Sequence, residues 1–392
     1  MTSRPLSPLA IATALALGAA VSLGLARFSY ALLLPPMRDD LAWSYLTAGA
    51  MNTANAAGYL LGALLMPRGL ARWGARPLLI AGSVAAAALL AMHGAAQGDA
   101  VLYVLRLLTG VASAATFVSG GLLAARLTGA PSGLVLGIYY GGTGAGIIAS
   151  ALLVPPLVSW HDGQGWRWAW AALGVVALAA TLVAARATRG LVTAASTAAA
   201  SGPFRWASLG LGLASYFLFG LGYIGYMTFV VTLLREQQMS HGTITLFYGV
   251  LGAGVIASSF VWAGLLQRHR SGRAMAVLNA VLAVATVLPV LSTNPLAVFA
   301  SGVLFGGVFL SVVASTTALV RHNLPAAAWP AGIAAFTIVF AAGQIVGPSL
   351  VGWLADGAGG LRAGLAVSAG VLAFGAVLAA CQRALPVPEH HP

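Results

Sequence analysis

Twelve predominantly apolar runs follow one another along the chain, at about 9–34, 44–66, 78–96, 100–125, 133–157, 167–186, 207–233, 243–266, 274–292, 295–320, 331–354 and 362–382. A helix needs about 20 apolar residues to cross the hydrocarbon of a bilayer, and each run is near that length. Helix breakers separate them: Pro35-Pro36, Arg68-Gly69, Gln97-Gly98, Gly129 to Pro131, His161 to Gly163, Ser240 to Gly242, Arg268 to Gly272, Asn294-Pro295, Pro325 and Gly357 to Gly360. The first run follows a short polar start containing Arg4, as in a signal peptide. It continues to Leu34, too long for a cleaved apolar core, so it reads as the first membrane span. The pattern predicts an all-α membrane protein with twelve transmembrane helices.

Composition agrees. Of 392 residues, 60% are hydrophobic and 7% charged. A soluble domain carries about 25% charged residues, so this chain cannot clothe a water-facing surface. The single cysteine, Cys381, excludes an internal disulfide, and no spacing of ligands predicts a metal or other cofactor.

Charge placement orients the spans. All 19 basic residues are Arg and the net charge is +12. With the N-terminus in the cytoplasm, thirteen of them fall in cytoplasmic segments (Arg4, Arg68, Arg72, Arg76, Arg126, Arg186, Arg189, Arg205, Arg268, Arg270, Arg273, Arg321 and Arg383). Four (Arg38, Arg167, Arg235 and Arg362) fall on the other side, together with Asp39, Asp40, Asp99, Asp162, Glu236 and Asp356. Of the acidic residues, only Glu389 falls inside. This is the positive-inside distribution. It assigns the excess positive charge to a membrane surface rather than to nucleic acid, and predicts both termini cytoplasmic in a bacterial inner membrane.

The polar-leaning stretch 187–204 divides the chain into 1–186 and 205–392. The two parts echo each other at an offset of roughly 200 residues: Arg68, Arg72 and Arg76 against Arg268, Arg270 and Arg273, and Gly137-xxx-Gly141 against Gly343-xxx-Gly347. Two parallel six-helix repeats with a substrate path between them are one established transporter architecture. The Gly faces themselves read as helix-packing surfaces.

At these positions the chain resembles the major facilitator superfamily, over its whole length. After the second span that family carries Gly-x-Leu-Ala-Asp-Arg-x-Gly-Arg-Arg. Here the register is Pro67 to Arg76, in which Arg72, Gly74 and Arg76 match, Pro67 replaces the first Gly and Ala71 replaces the Asp. Arg106-Leu-Leu-Thr-Gly110, Gly165-Trp-Arg-Trp168 and Gly347-Pro348 look like further family features. The segment Gly24 to Tyr30 through Pro35-Pro36-Met37, with Asn52-Thr-Ala-Asn55-Ala-Ala-Gly58-Tyr59, resembles the YbfB/YjiJ group. The resemblance implies two pseudo-symmetric six-helix bundles that rock about a central site lined by helices 1, 4, 7 and 10. It places Arg72, Gly74, Arg76 and Arg268 at the inner gate, whose latch must differ where Ala71 stands for Asp.

Two charges, Arg27 and Arg106, lie inside predicted spans. A charge at mid-membrane costs about 2.5–3.5 kcal/mol on insertion scales and normally faces a cavity or a partner. One interpretation is an anion site with Arg27 as a fork for a carboxylate. Others are snorkelling to the interface, or bonding to Asp39, Asp40, Asp99 or backbone carbonyls. Asn52, Asn55 and Tyr59 share a helix face, joined by Tyr30, by Tyr140, by Tyr216, Phe219, Tyr223 and Tyr226 on one side of helix 7, and by Thr337 and Gln344 in helix 11. Tyr223 lies where Arg27 would repeat in the second half. These groups could surround a solute, or serve as interhelical glue and interfacial belt. Met92-His93, without a second ligand nearby, reads as an interfacial histidine rather than a copper site.

No Asp or Glu lies within any apolar run. The buried proton-carrying carboxylate of many transporters is absent, as are the convergent acid, base or metal groups that an enzyme would need. The expectation is a monomeric secondary transporter for a small organic solute, most simply an organic anion such as a monocarboxylate, with a proton as candidate co-substrate. The alternatives are an efflux pump for hydrophobic or cationic compounds and a non-transporting receptor on the same fold.

Overall fold

The computed structural model describes residues 6–160, 163–191 and 204–385, and regular structure there is helical throughout. Twelve long helices follow in order: α1 (Pro8–Asp40), α2 (Tyr45–Trp73), α3 (Ala75–Ala95), α4 (Asp99–Ala125), α5 (Ser132–Trp160), α6 (Gly165–Ala187), α7 (Trp206–Glu236), α8 (His241–Arg268), α9 (Arg273–Leu291), α10 (Pro295–Asn323), α11 (Ala326–Ala355) and α12 (Gly360–Cys381). Eleven of them are long and apolar enough to cross a membrane, making this a multi-pass membrane protein. The remaining one, α2, is 29 residues long but carries a polar face, and its Asn52 and Asn55 are buried against neighbouring helices rather than turned to lipid. Arg4, His161, Asp162, Glu389 and most of the expected linker (192–203) lie outside the described residues.

Several expected breaks fall elsewhere. Pro35 and Pro36 sit inside α1, which runs on to Asp40. They cost the helix backbone bonds, but Tyr30 to Pro35 are buried, and that packing holds the last turns in place. Arg68 and Gly69 are likewise helical. A Gly costs a helix interior about 1 kcal/mol relative to Ala, too little to end it. The stop comes at Gly74, whose φ of 78° lies in the left-handed region. Two N-termini follow their sequence signals closely: Ser240 caps α8, and Asn294 caps α10 with Pro295 next.

The middle of α1 departs from α geometry. Ala20–Phe28 forms π-helical turns, in which the Ser29 amide donates to the Gly24 carbonyl five residues back at 3.1 Å. Such wide turns are rare and recur at functional sites. Here the widened backbone lies against α5, with Gly24 facing Gly146 and Ser150 Oγ donating to the Gly24 carbonyl at 3.4 Å.

The helix pairings repeat with an offset of six. Helix α1 packs on α5 as α7 packs on α11, α2 on α4 as α8 on α10, and α3 on α6 as α9 on α12. The first six helices meet the last six along two seams, α2 with α11 and α5 with α8, and also where α1 meets α7. Glycines let these backbones approach. Gly49 lies on Pro348 and Gly352 on Tyr45 in the first seam, and Gly137, Gly141 and Gly144 lie against Phe260, Ile256 and Gly252 in the second.

The end holding the junction of α1 and α2 is acidic and tightly bonded. Trp43 Nε1 donates to Asp99 at 2.8 Å, Trp166 Nε1 to Asp40 at 2.9 Å, and Tyr45 Oη to Glu236. The Arg38 guanidinium lies 3.8 Å from the Tyr45 ring centre. At the opposite end, the arginine loops bond within their own half. Arg76 donates to the Ala185 carbonyl at 3.1 Å and Arg270 to that of His322 at 3.4 Å.

Candidate functional site

Arg27 stands near the end of the π-helical stretch and is 3% exposed. Its Nε and Nη2 are buried with no hydrogen-bond partner among the described residues. These two nitrogens form one edge of the guanidinium, with the spacing that matches the two oxygens of a carboxylate. The group lies 5.7 Å from the centre of the Tyr59 ring and is close enough to Tyr223 to act on it electrostatically. None of the acidic residues proposed as partners reaches it. Asp40 and Asp99 are bonded to tryptophans at the acidic end, and Asp39 lies beside Arg38 at 3.9 Å.

Arg106 is equally buried, at 1% exposure, but its donors are in use. Nη1 donates to the Ala26 carbonyl at 3.1 Å, Nη2 to Asn52 Oδ1 at 3.2 Å and Nε to the Met51 carbonyl at 3.4 Å. Tyr30 and Trp170 present their ring faces at 4.7 and 5.8 Å. Arg106 thus ties α4 to α1, α2 and α6. Of the interpretations open for a buried arginine, bonding to backbone carbonyls describes Arg106, and an unpaired fork describes Arg27. The two cations are near enough to repel each other, so the region carries a positive field with no buried carboxylate beside it among the described residues.

The polar residues of α2 divide in the same way. Asn52 accepts from Arg106 and donates through Nδ2 to Thr228 Oγ1 of α7 at 2.7 Å. Asn55 Nδ2 donates to the Arg106 carbonyl at 3.1 Å, leaving its own Oδ1 buried without a partner. Tyr30 Oη donates to the Ala48 carbonyl at 2.8 Å. Tyr59, half-buried beside Arg27, is the member of this set that faces the free guanidinium. Tyr140 of α5 is 37% exposed, and its ring lies obliquely to those of Phe117 and Tyr139.

Across from Arg27, the last six helices contribute an aromatic wall. Gln344 of α11 donates to Tyr223 Oη. The rings of Tyr216, Phe219, Tyr223 and Phe340 lie nearly parallel, with neighbouring centroids 4.8 to 5.7 Å apart. Phe309 continues the wall to Phe28 of α1 at 5.7 Å. Tyr226 turns away: its hydroxyl pairs with Ser301 at 2.6 Å and its ring stacks on Phe305 at 4.1 Å. Thr337 is exposed and bonds only back to its own helix. His93, near the end of α3, is fully buried and stacks on Trp170 of α6 at 4.5 Å.

Of the expected gate residues, Arg72 lies over Trp73 at 5.5 Å, Gly74 ends α2, Arg76 bonds to α6, and Arg268 is exposed. Carboxylates that join the two halves lie at the other end, where Glu236 accepts from Tyr45 Oη. Asp356 accepts from the backbone amides of Tyr45 and Leu46. Sequence reasoning missed Asp356, Glu236, Tyr45 and Thr228. It counted the two carboxylates only as topology markers, and no local signal shows which helix end a distant carboxylate will reach.

Comparison with known proteins bears on the whole chain. No curated protein matches it significantly. Among solved structures it is similar to a bacterial homologue of the human lysosomal transporter Spinster in an inward-facing, unoccupied conformation (13% identity, 97% of this chain and 96% of that one, TM-score 0.68). It is also similar to the nucleoside transporter NupG (12%, 95% and 99%, 0.75) and to the human organic anion transporter MFSD10 (15%, 96% and 100%, 0.67). At these identities the likeness establishes the fold. The family model described as "Uncharacterised MFS-type transporter YbfB" matches residues 19–380, nearly the full length, and the chain therefore belongs to this family of MFS-type transporters.

Proposed function

We propose that this secondary transporter carries a small organic anion, such as a monocarboxylate, across the bacterial inner membrane by alternating access, leaving the solute chemically unchanged. One observation carries the proposal: the Nε–Nη2 edge of Arg27 is buried and unpaired, and no carboxylate among the described residues neutralises it. A buried unpaired charge is costly. A site that keeps one has a use for it, and an anion supplies the missing partner. The shared fold with an organic anion transporter agrees with this reading but does not carry it.

The repeated helix pairings support two pseudo-symmetric six-helix bundles, 1–186 and 205–392, joined by the linker 187–204. The arginine-rich end is assigned to the cytoplasm, with both termini there. On that assignment, the bonded acidic end supports an inward-facing arrangement. The protein acts as a monomer, and a coupled proton would travel on the substrate's own acid group.

Efflux of cationic compounds is the competing use of an aromatic wall. A cation would meet two arginines and, among the described residues, no buried carboxylate, which disfavours it. The test is thermal stabilisation of the purified protein by monocarboxylates, together with counterflow in proteoliposomes. Arg27→Gln is expected to abolish both. Stabilisation by the same anions that survives this substitution overturns the anion site.

A further inference from the structure

We propose that the transported anion carries a single negative charge on a flat aromatic body, its carboxylate on Arg27 and its ring against the wall of Tyr223 and Phe340. This rests on the anion site argued above and narrows it to a substrate class.

The charge count follows from what is already bonded. Arg27 offers one carboxylate-matching edge. Arg106 has spent its donors on Ala26, Met51 and Asn52, so it forms no second anion subsite. The described carboxylates gather at the acidic end, bonded to Trp43, Tyr45 and Trp166 or lying beside Arg38, so an ammonium group beside the carboxylate would find no counter-charge. Dicarboxylates and zwitterionic amino acids each leave a charge unpaired in this site.

The shape of the body follows from the wall. Arg27 lies between Tyr59, whose ring faces the guanidinium, and Tyr223, whose ring belongs to the parallel set. The planes of Phe219, Tyr223 and Phe340 agree within 11 to 18°. Phe340 is only half-buried, so the set ends on a partly open ring. A planar ring can extend this stack at the same tilt, and its π-face gains contacts that a puckered aliphatic ring of similar size does not.

The experiment compares ligands on the intact wild-type protein by calorimetry: benzoate, its saturated analogue cyclohexanecarboxylate, acetate, phthalate and benzylamine. Benzoate is expected to bind about five- to tenfold more tightly than cyclohexanecarboxylate, the gain of one good aromatic contact. Phthalate and benzylamine are expected to bind more weakly than benzoate. Phe340→Leu should remove the preference for the planar ring and keep binding of acetate, while Arg27→Gln removes binding of all the carboxylates. Equal affinity for benzoate and cyclohexanecarboxylate, with both lost in Arg27→Gln, overturns the aromatic body and leaves the anion site standing. Carboxylate binding that is absent, or indifferent to Arg27, overturns both, as does benzylamine binding tighter than benzoate. The wild-type comparison alone decides the ring preference should Phe340→Leu fail to fold.

Discussion

Asp356, just past the end of α11, accepts the backbone amides of Tyr45 at 2.8 Å through one oxygen and Leu46 at 2.9 Å through the other. The first turn of α2 has orphan amides and the positive end of a helix dipole, and a carboxylate from the far end of the sequence satisfies both. The contact spans the α2–α11 seam, where Gly352 lets the backbones meet. Such a charge at a helix N-terminus contributes about 0.3–1 kcal/mol, more when partly buried.

Asp356→Asn should therefore loosen this end by about 1 kcal/mol, roughly a fivefold rise in the open fraction. Maleimide labelling of Thr53→Cys, in a background lacking Cys381, measures it. Thr53 bonds to the Ile345 carbonyl and to Ser349 in the same seam, so its position opens with the seam. An unchanged labelling rate shows that Asp356 is a cap without a gating role.

The two buried arginines should respond oppositely. Arg106→Gln removes three interhelical bonds, to the Ala26 and Met51 carbonyls and to Asn52 Oδ1, and leaves that buried side-chain oxygen without its donor, at about 1–3 kcal/mol. A clear fall in the ligand-free melting temperature is expected. Arg27→Gln removes a charge whose Nε and Nη2 have no partner, so the ligand-free protein should melt at the same temperature or higher. Thermal denaturation of both variants without added anion checks this. A large destabilisation by Arg27→Gln would mean that the guanidinium is already satisfied.

Much of this fold could be read from the chain because hydrocarbon thickness sets one length for every span. The runs found all twelve long helices to within a few residues at most ends. The misses have physical causes. Pro35 and Pro36 read as a break because local propensity opposes a helix there, whereas burial of α1 overrides it. The π-helical turns of Ala20–Phe28 leave no mark in apolar periodicity, since that stretch is buried almost throughout. In the site, the position of both arginines inside apolar runs marks them as charges within the spans but leaves open whether they snorkel, pair or bind a solute. It could not say that Ala26 and Met51 would present carbonyls to one of them, because those acceptors are backbone atoms that any residue supplies. Glu236 and Asp356 looked like solvent-facing markers of topology, and their long-range partners appear only in three dimensions.

The α5–α8 seam predicts a graded series. A Cβ added at Gly252 would lie 2.8 Å from the Gly144 carbonyl oxygen and 2.8 Å from the Ile148 side chain. Backbone cannot yield as a flexible side chain can, so Gly252→Ala should push α8 away from α5 and Gly252→Val more so. Transport should fall in that order, while binding of the anion at Arg27, on other helices, falls less. Counterflow set against calorimetric affinity separates the two. Parallel losses in both would show that the seam shapes the site itself.

The chain of bonds through Asn52 predicts a coupling between the halves. Arg106 donates to Asn52 Oδ1, Asn52 Nδ2 donates to Thr228 Oγ1, and that hydroxyl donates to the Ile224 carbonyl at 2.6 Å. The middle bond, at 2.7 Å, joins α2 to α7 across the interface that must open on the acidic side during transport. Interhelical hydrogen bonds of this kind contribute about 0.6 kcal/mol on average in membrane proteins, with a ceiling near 1.7. A double-mutant cycle with Asn52→Ala and Thr228→Val should return a coupling energy in that range. Thr228→Val removes the acceptor but keeps the shape, so it should raise labelling of Thr53→Cys about threefold without abolishing benzoate binding. A coupling energy near zero would place the adhesion of α2 and α7 in apolar packing instead, and labelling would then follow Asp356 alone.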